Sequence, residues 1–269
     1  MANKRPADAA RRPVFPVRLD MIRPAAPPIK PVLSASRFAG SAHRTVQPAH
    51  GLGLDSAAVR QHMVRRLSQQ GVTDPRVLHA MGIVERHRFV DTALASQAYE
   101  DTCLPIGLGQ TISKPGVVAH MLELLCQGLD RPLGRVLEIG TGCGYQAALL
   151  GLLASEVYTI ERLRGLHAKA RNNLRPMRLP HVHLVFGDGM AGYAAGAPYA
   201  GIIAAAGGDA VPAAWIDQLA VGARLVAPVS QGADKQAGQA LVVIDKTARG
   251  CHQTVMDAVQ FVPLKSGIA

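Results

Sequence analysis

Three acids and a set of spaced glycines carry the chemistry-bearing pattern of this chain. Val136-Leu-Glu-Ile-Gly-Thr-Gly-Cys-Gly-Tyr-Gln-Ala-Ala-Leu149 opens as an apolar run suited to a buried strand, passes through Gly140, Gly142 and Gly144, and closes in residues suited to a helix. Glycine lacks Cβ and tolerates positive φ, so a strand that feeds a helix through glycines lets the backbone approach a ligand. Glu138 puts a carboxylate near the end of that strand. Glu161 ends the next apolar run, 17 residues after Gly144, and Asp188 in Phe186-Gly-Asp-Gly189 ends the third. A carboxylate at the second strand's end can accept hydrogen bonds from both hydroxyls of a ribose. One at the third can reach an adenine amino group. Each acid alone is equally an exposed loop carboxylate; together, behind a glycine loop, they describe a nucleoside pocket.

Strands must bring these residues to one edge. Candidates lie at 135–140, 156–161, 182–187, 199–205, 223–229, 240–245 and 258–263, with helical patterns at 144–154, 162–175 and 212–220. That alternation implies right-handed crossovers and an α/β fold: a mostly parallel seven-stranded sheet with helices on both faces. Ligands of such sheets sit beyond the carboxyl ends of the strands. Thr247–Gln253 is polar and too short for a crossover helix, so the last two strands are expected to form an antiparallel hairpin at a sheet edge. Upstream, Val59, Met63 and Leu67 stripe one helix that Gly71 closes, and Asp74-Pro75 opens a second. Leu104–Pro115 is polar and glycine-containing and is expected to be a loop, followed by a helix carrying Val117, Val118, Met121, Leu122 and Leu125.

Charge is concentrated outside this region. The formal net charge is +10, but residues 1–50 hold nine Lys/Arg against two Asp/Glu, and the remaining 219 hold 20 against 17. The body is only mildly basic, which argues against a nucleic-acid partner. Residues 1–50 also hold eight of the 18 prolines and are expected to form a disordered basic extension, leaving 51–269, ordered from near Asp55, as the domain. No apolar run has the length of a membrane span. The four cysteines lack any C-x-x-C spacing, so a reducing cytoplasm is the expected compartment. His181-x-His183 has no cysteine or acid cluster beside it, and no metal site is expected. Trp215 is expected to pack in the core, and Cys143 to fill space near the ligand.

The glycine loop resembles motif I of S-adenosylmethionine-dependent methyltransferases, while Gly142-x-Gly144-x-x-Ala147 also fits a dinucleotide loop of an NAD-dependent oxidoreductase. The rest of the chain separates the two. Glu85-Arg-His-Arg-Phe-Val90, Tyr99-Glu-Asp101, Leu104-Pro-Ile-Gly107, Gly109-Gln-Thr-Ile-Ser-x-Pro115, motif I, Val157-Tyr-Thr-Ile-Glu161, Gly187-Asp-Gly189, Gln218-Leu-x-x-Gly-x-Arg-Leu-Val-x-Pro228 and Phe261-Val-Pro-Leu264 occur in this order. Together they resemble the protein-L-isoaspartate (D-aspartate) O-methyltransferase family over residues 55–264. Gly-Gln-Thr-Ile-Ser-x-Pro is the specific element and argues against the dinucleotide.

The resemblance implies a Rossmann-like class I methyltransferase fold and methyl transfer from S-adenosylmethionine to the free α-carboxyl of L-isoaspartyl residues in damaged proteins and peptides. The ester then collapses to a succinimide. A monomer is expected. Glu138, Gly140, Thr141, Gly142, Gly144, Glu161, Arg162, Asp188 and Gly189 match cofactor-binding positions, and Ser113 matches the family's active-site serine. A related methyltransferase acting on another acceptor is the alternative, because two segments depart from the family. Ala200 and Ile202–Gly208 lack the acid usual before the fourth strand and the polar residue usual near its end. Lys114 stands where a neutral residue is usual and is expected to point to solvent.

Overall fold

The computed structural model describes residues 57–129, 131–232 and 238–269; the extension at 1–50 and the onset of order near Asp55 lie outside the described residues. The domain begins with helices α1 (Ala57–Gln69) and α2 (Pro75–Ile83). Asp74 caps α2, its side chain accepting from the Arg76 amide, with proline at the first helical position as the sequence predicts. A hairpin of β1 (Leu104–Gly107) and β2 (Gln110–Ile112) then leads into α3 (Pro115–Cys126).

The main sheet follows: β3 (Leu133–Ile139), α4 (Tyr145–Leu153), β4 (Ala154–Glu161), α5 (Arg164–Leu174), β5 (Val182–Phe186), β6 (Tyr199–Ala204), α6 (Ala213–Gln218), β7 (Leu219–Ser230), β8 (Gln239–Thr247) and β9 (Gly250–Val259). Its strand order is β5-β4-β3-β6-β7-β8-β9. The first five run parallel, while β8 pairs antiparallel with both β7 and β9. The chain leaves β3 to build one half, then crosses back to build the other, so the carboxyl end of β3 is the switch point where such sheets hold ligands.

Burial on both faces explains the near-continuous apolar strands. Val136, Val157, Ile203 and Val226 join one cluster with side chains from α1 to α5. Their neighbours Leu137, Ile202 and Leu225 join a second cluster beside α6, centred on Trp215. Trp215 is therefore core, as expected, and its indole N–H also donates to the Gly189 carbonyl at 2.8 Å.

Two expectations need correction. Leu104–Ile112 is a short hairpin rather than a loop, because Leu104, Ile106 and Ile112 bury one face while Gly107 and Gly109, at φ 98° and 68°, make the turn. The last strand is Gly250–Val259 rather than 258–263. A tight turn at Thr247–Gly250, closed by the Thr247 hydroxyl on the Gly250 carbonyl at 2.8 Å, starts β9 early. Being an exposed edge, β9 has no need of the apolar run used to predict it. The apolar Phe261–Leu264 segment is turned instead toward the β3 end.

Candidate active site

Glu138 points from β3 into the protein and is fully buried. It faces Thr159 in register on β4, whose hydroxyl donates to Glu138 Oε2 at 2.5 Å. Thr159 has one proton, so Thr141, whose Oγ1 lies 2.6 Å from Thr159 Oγ1, is the donor in that second bond. Glu138 Oε1 has no partner among the described residues. Burial pushes the carboxyl up to about 8; the bond from Thr159 and the nearby Gln146 amide pull it partly back, and the charge of Glu161 adds to the rise.

The glycine loop closes on the neighbouring strand. Gly140 and Thr141 donate to the Ile160 carbonyl at 2.9 and 3.2 Å. Glu161, nearly buried, accepts the Gly142 amide on Oε2 and the Leu163 amide on Oε1, both at 2.9 Å. One carboxylate thus ties the loop to the entry of α5, and each oxygen keeps a further lone pair for a ligand hydroxyl. Gly140 and Gly142 have φ of 91° and 57°. A Cβ on Gly142 would stand 3.3 Å from Ile106 Cδ1 of the hairpin, so the roof is built close over the loop.

Ser113 follows the hairpin directly and lines the cavity. The Ser113 carbonyl accepts from Arg86 Nη2 at 2.7 Å. Ser113 is not the cap of α3: Lys114 holds that position without a side-chain bond, and Asp101 accepts the Gly116 amide at 2.8 Å. Lys114 is exposed, as expected.

These walls enclose a cavity of about 250 Å³. Of the predicted site residues, Ser113, Glu138, Gly140, Thr141, Gly142, Glu161, Arg162 and Gly189 line it; Gly144 and Asp188 do not. Gly144 sits at the start of α4 with φ 91°, where a Cβ would meet Leu174 Cδ1 at 3.0 Å, so its glycine serves close packing on α5. Asp188 accepts the Met190 amide at 2.8 Å and the Gly267 amide at 2.6 Å. It anchors the last described segment rather than facing the cavity. Arg162 joins that anchorage through Nε on the Gly267 carbonyl at 2.8 Å.

Other lining residues escaped the sequence reading. Gln146 lines the cavity with its Nε2 unpartnered among the described residues. It follows the glycine loop in motif I, and its amide in an apolar helix was the available signal. Thr159, which does not line the cavity but holds Glu138 from behind, was signalled by its two-residue spacing from Glu161 along β4. Ala205 and Ala206 line the cavity where the sequence departs from the family, and Val262–Lys265 line it beside them, bonded to Gly207 through the Val262 carbonyl and the Leu264 amide. Cys143 lines the cavity as a buried thiol that burial pushes up to about 11, in keeping with a space-filling role. His181 bonds the Gly151 carbonyl at 2.7 Å, and His183 lies 3.3 Å from Glu156 and against Tyr158.

A seven-stranded α/β sheet with an antiparallel edge, a glycine loop at its switch point and acids at the ends of β3 and β4 defines a Rossmann-like class I methyltransferase fold. A family model described as protein-L-isoaspartate (D-aspartate) O-methyltransferase matches residues 58–269. A protein-L-isoaspartate O-methyltransferase of Methylibium petroleiphilum is 54% identical, covering 99% of this chain and 98% of its own. Another, from Leptothrix cholodnii, is 58% identical over 83% of this chain and 80% of its own. A solved protein-L-isoaspartate O-methyltransferase structure superposes with a TM-score of 0.69 at 27% identity, covering 78% of this chain and 67% of that one. A Plasmodium falciparum structure in complex with S-adenosyl-L-homocysteine shares the fold, with a TM-score of 0.67 at 23% identity, over 77% of this chain and 98% of that one. The chain belongs to the protein-L-isoaspartate O-methyltransferase family.

Proposed function

We propose that this protein methylates the free α-carboxyl of L-isoaspartyl residues in damaged proteins and peptides, with S-adenosylmethionine as methyl donor. The observation that carries the reading is one cavity lined at once by Glu138, Glu161 and Ser113. S-adenosylmethionine is cationic at both its sulfonium and its amino group, and Glu138 offers a buried oxygen without a partner. In this reading Glu138 holds the amino acid end, Glu161 accepts the ribose hydroxyls, and the Gly140–Gly142 backbone lies along the cofactor. When bound, the cofactor supplies an activated methyl group on a good leaving group.

The acceptor needs little from the chain's own groups. A carboxylate is ionised at neutral pH, so no general base is required. Among the described residues no histidine lines the cavity. Ser113 donates its hydroxyl to one acceptor oxygen and holds the other toward the methyl group. The hairpin roof, through Ile106, and the Val262–Lys265 wall exclude water from the reacting atoms. Rate then comes from alignment, which is worth up to about 7–11 kcal/mol in the best-oriented intramolecular systems.

A monomer acting in a reducing cytoplasm, without nucleic-acid or membrane partners, belongs to the same proposal. The reducing compartment is supported by four free cysteines. Methyl ester formation on matched peptides containing isoaspartate or aspartate tests the reading. Turnover on the isoaspartyl peptide alone is expected, and equal rates on both would overturn it.

A further inference from the structure

Arg86 is the one arginine of the described residues buried to zero exposure, and it stands directly behind Ser113. Its Nη2 donates to the Ser113 carbonyl at 2.7 Å and reaches the Thr102 carbonyl at 3.5 Å, so a single nitrogen spans the two ends of the segment containing the β1–β2 hairpin. The guanidinium carbon lies 5.0 Å from the centre of the Tyr145 ring, and Tyr145 lines the cavity. Nε and Nη1 have no partner among the described residues.

No carboxylate neutralises this charge among the described residues. Glu85 turns outward to Arg60 and Arg88, at 3.7 and 3.3 Å. Asp101 is held on the Gly116 amide. Burial pulls the Arg86 pKa below the ordinary arginine value, yet a guanidinium stays charged in proteins. An unpaired buried charge is costly, and structures that retain one commonly use it at a site. The cavity is lined by Glu138 and Glu161, which suit a cationic ligand, and by Arg162 and Lys265, with Arg162 Nε engaged on the Gly267 carbonyl. Arg86 adds an unpaired positive charge behind Ser113.

We propose that Arg86 is a positioning residue for the acceptor: it fixes Ser113 through the serine carbonyl, and its unpaired charge makes the Ser113 end of the cavity select an anionic acceptor over a neutral one. This rests on the isoaspartyl reading above and deepens it, since it names what makes the site choose a carboxylate.

The test measures binding of two peptides to protein loaded with S-adenosylhomocysteine: an isoaspartyl peptide, and the same peptide carrying an α-carboxamide in place of the α-carboxylate. Arg86→Met is expected to weaken the carboxylate peptide roughly 10- to 100-fold, the effect of one unit charge about 6–12 Å away at an effective dielectric near 20. The carboxamide peptide loses only the fixing of Ser113 and should weaken by clearly less than the carboxylate peptide, and S-adenosylhomocysteine should change by less than about twofold. Parallel weakening of both peptides, or of neither, overturns the inference. Arg86→Lys decides the matter if Arg86→Met fails to fold: a buried, unpaired lysine is readily neutralised, so a carboxylate preference that is weakened, or that falls as pH rises, supports the inference, and one unchanged from wild type at every pH overturns it. Wild-type protein that binds neither peptide would overturn the isoaspartyl reading and this inference with it, whereas parallel loss in the variant overturns this inference alone.

Discussion

Glu138→Gln tests the site through a proton. In the ligand-free protein the Glu138 carboxyl is pushed to about 8 from its usual 4.5. Between those values the folded state holds a proton that the unfolded state has lost. The associated stability is therefore fully present below about pH 4.5 and is lost as pH rises through about 8. At 1.36 kcal/mol per unit, the full span amounts to something on the order of 5 kcal/mol. Urea unfolding of ligand-free wild-type protein should show this decline, and the glutamine variant, with nothing to titrate, should lack it. The binding prediction is sharper. A cation beside Glu138 favours the ionised carboxylate. An acid of pKa about 8 is roughly nine-tenths protonated at pH 7, so S-adenosylmethionine binding there should release close to one proton. Titration calorimetry in phosphate and in Tris, whose ionisation heats differ widely, reads that proton as a difference in apparent enthalpy. Glu138→Gln should abolish the difference and weaken binding by about 1.5–3 kcal/mol, the range for hydrogen bonds to charged groups. Wild-type heats independent of buffer, or a variant that still releases the proton, would refute the assignment of Glu138 to the cofactor's cationic end.

Ser113→Ala should lower isoaspartyl peptide turnover on the order of 10- to 1,000-fold, as for loss of one positioning donor, while cofactor affinity holds; unchanged turnover would remove Ser113 from the chemistry. Because no base must titrate, wild-type turnover with cofactor saturating should be nearly flat above about pH 6, and a histidine-like titration between pH 6 and 8 would contradict it. Gly189→Ala would put a methyl group 2.7 Å from Ile139 Cγ2, so thermal unfolding should show a loss of about 1–3 kcal/mol from overpacking. Asp101→Ala removes the acceptor of the Gly116 amide at the start of α3 and should cost about 1 kcal/mol, with Asp101→Asn recovering most of it in the same assay.

The strand ends were legible because burial on both faces leaves apolar runs, and because glycines interrupt the first of them where the loop must turn. Glu161 was legible for the same reason, as an acid closing a buried run. Asp188 has the same sequence signature, yet two backbone amides claim it, one from a residue 79 positions away. No local pattern encodes a contact of that span. The edge strand β9 was misplaced because exposure relieves it of the apolar content by which strands are found. The hairpin was missed because each strand is only three or four residues long and its turn is made of glycines. Arg86 was visible only as part of the resemblance; that it lies buried behind Ser113 follows from tertiary packing alone.

The last described residues do more than end the sheet. Arg162 and Ala269 are joined by the Ala269 amide on the Arg162 carbonyl, Arg164 and Ala269 by the Arg164 amide on the Ala269 carbonyl, and Gly267 bonds Asp188. These bonds lash the segment across the ends of β4 and β5, next to the Val262–Lys265 wall. A ribosome that has finished the glycine loop, both glutamates and Ser113 has still made only an open trough, because one wall is synthesised a hundred residues after the floor. A nascent or clipped chain ending before Val262 should fold much of its sheet and yet fail to hold the methyl donor. Cofactor retention would then report that translation had reached the far side of the domain.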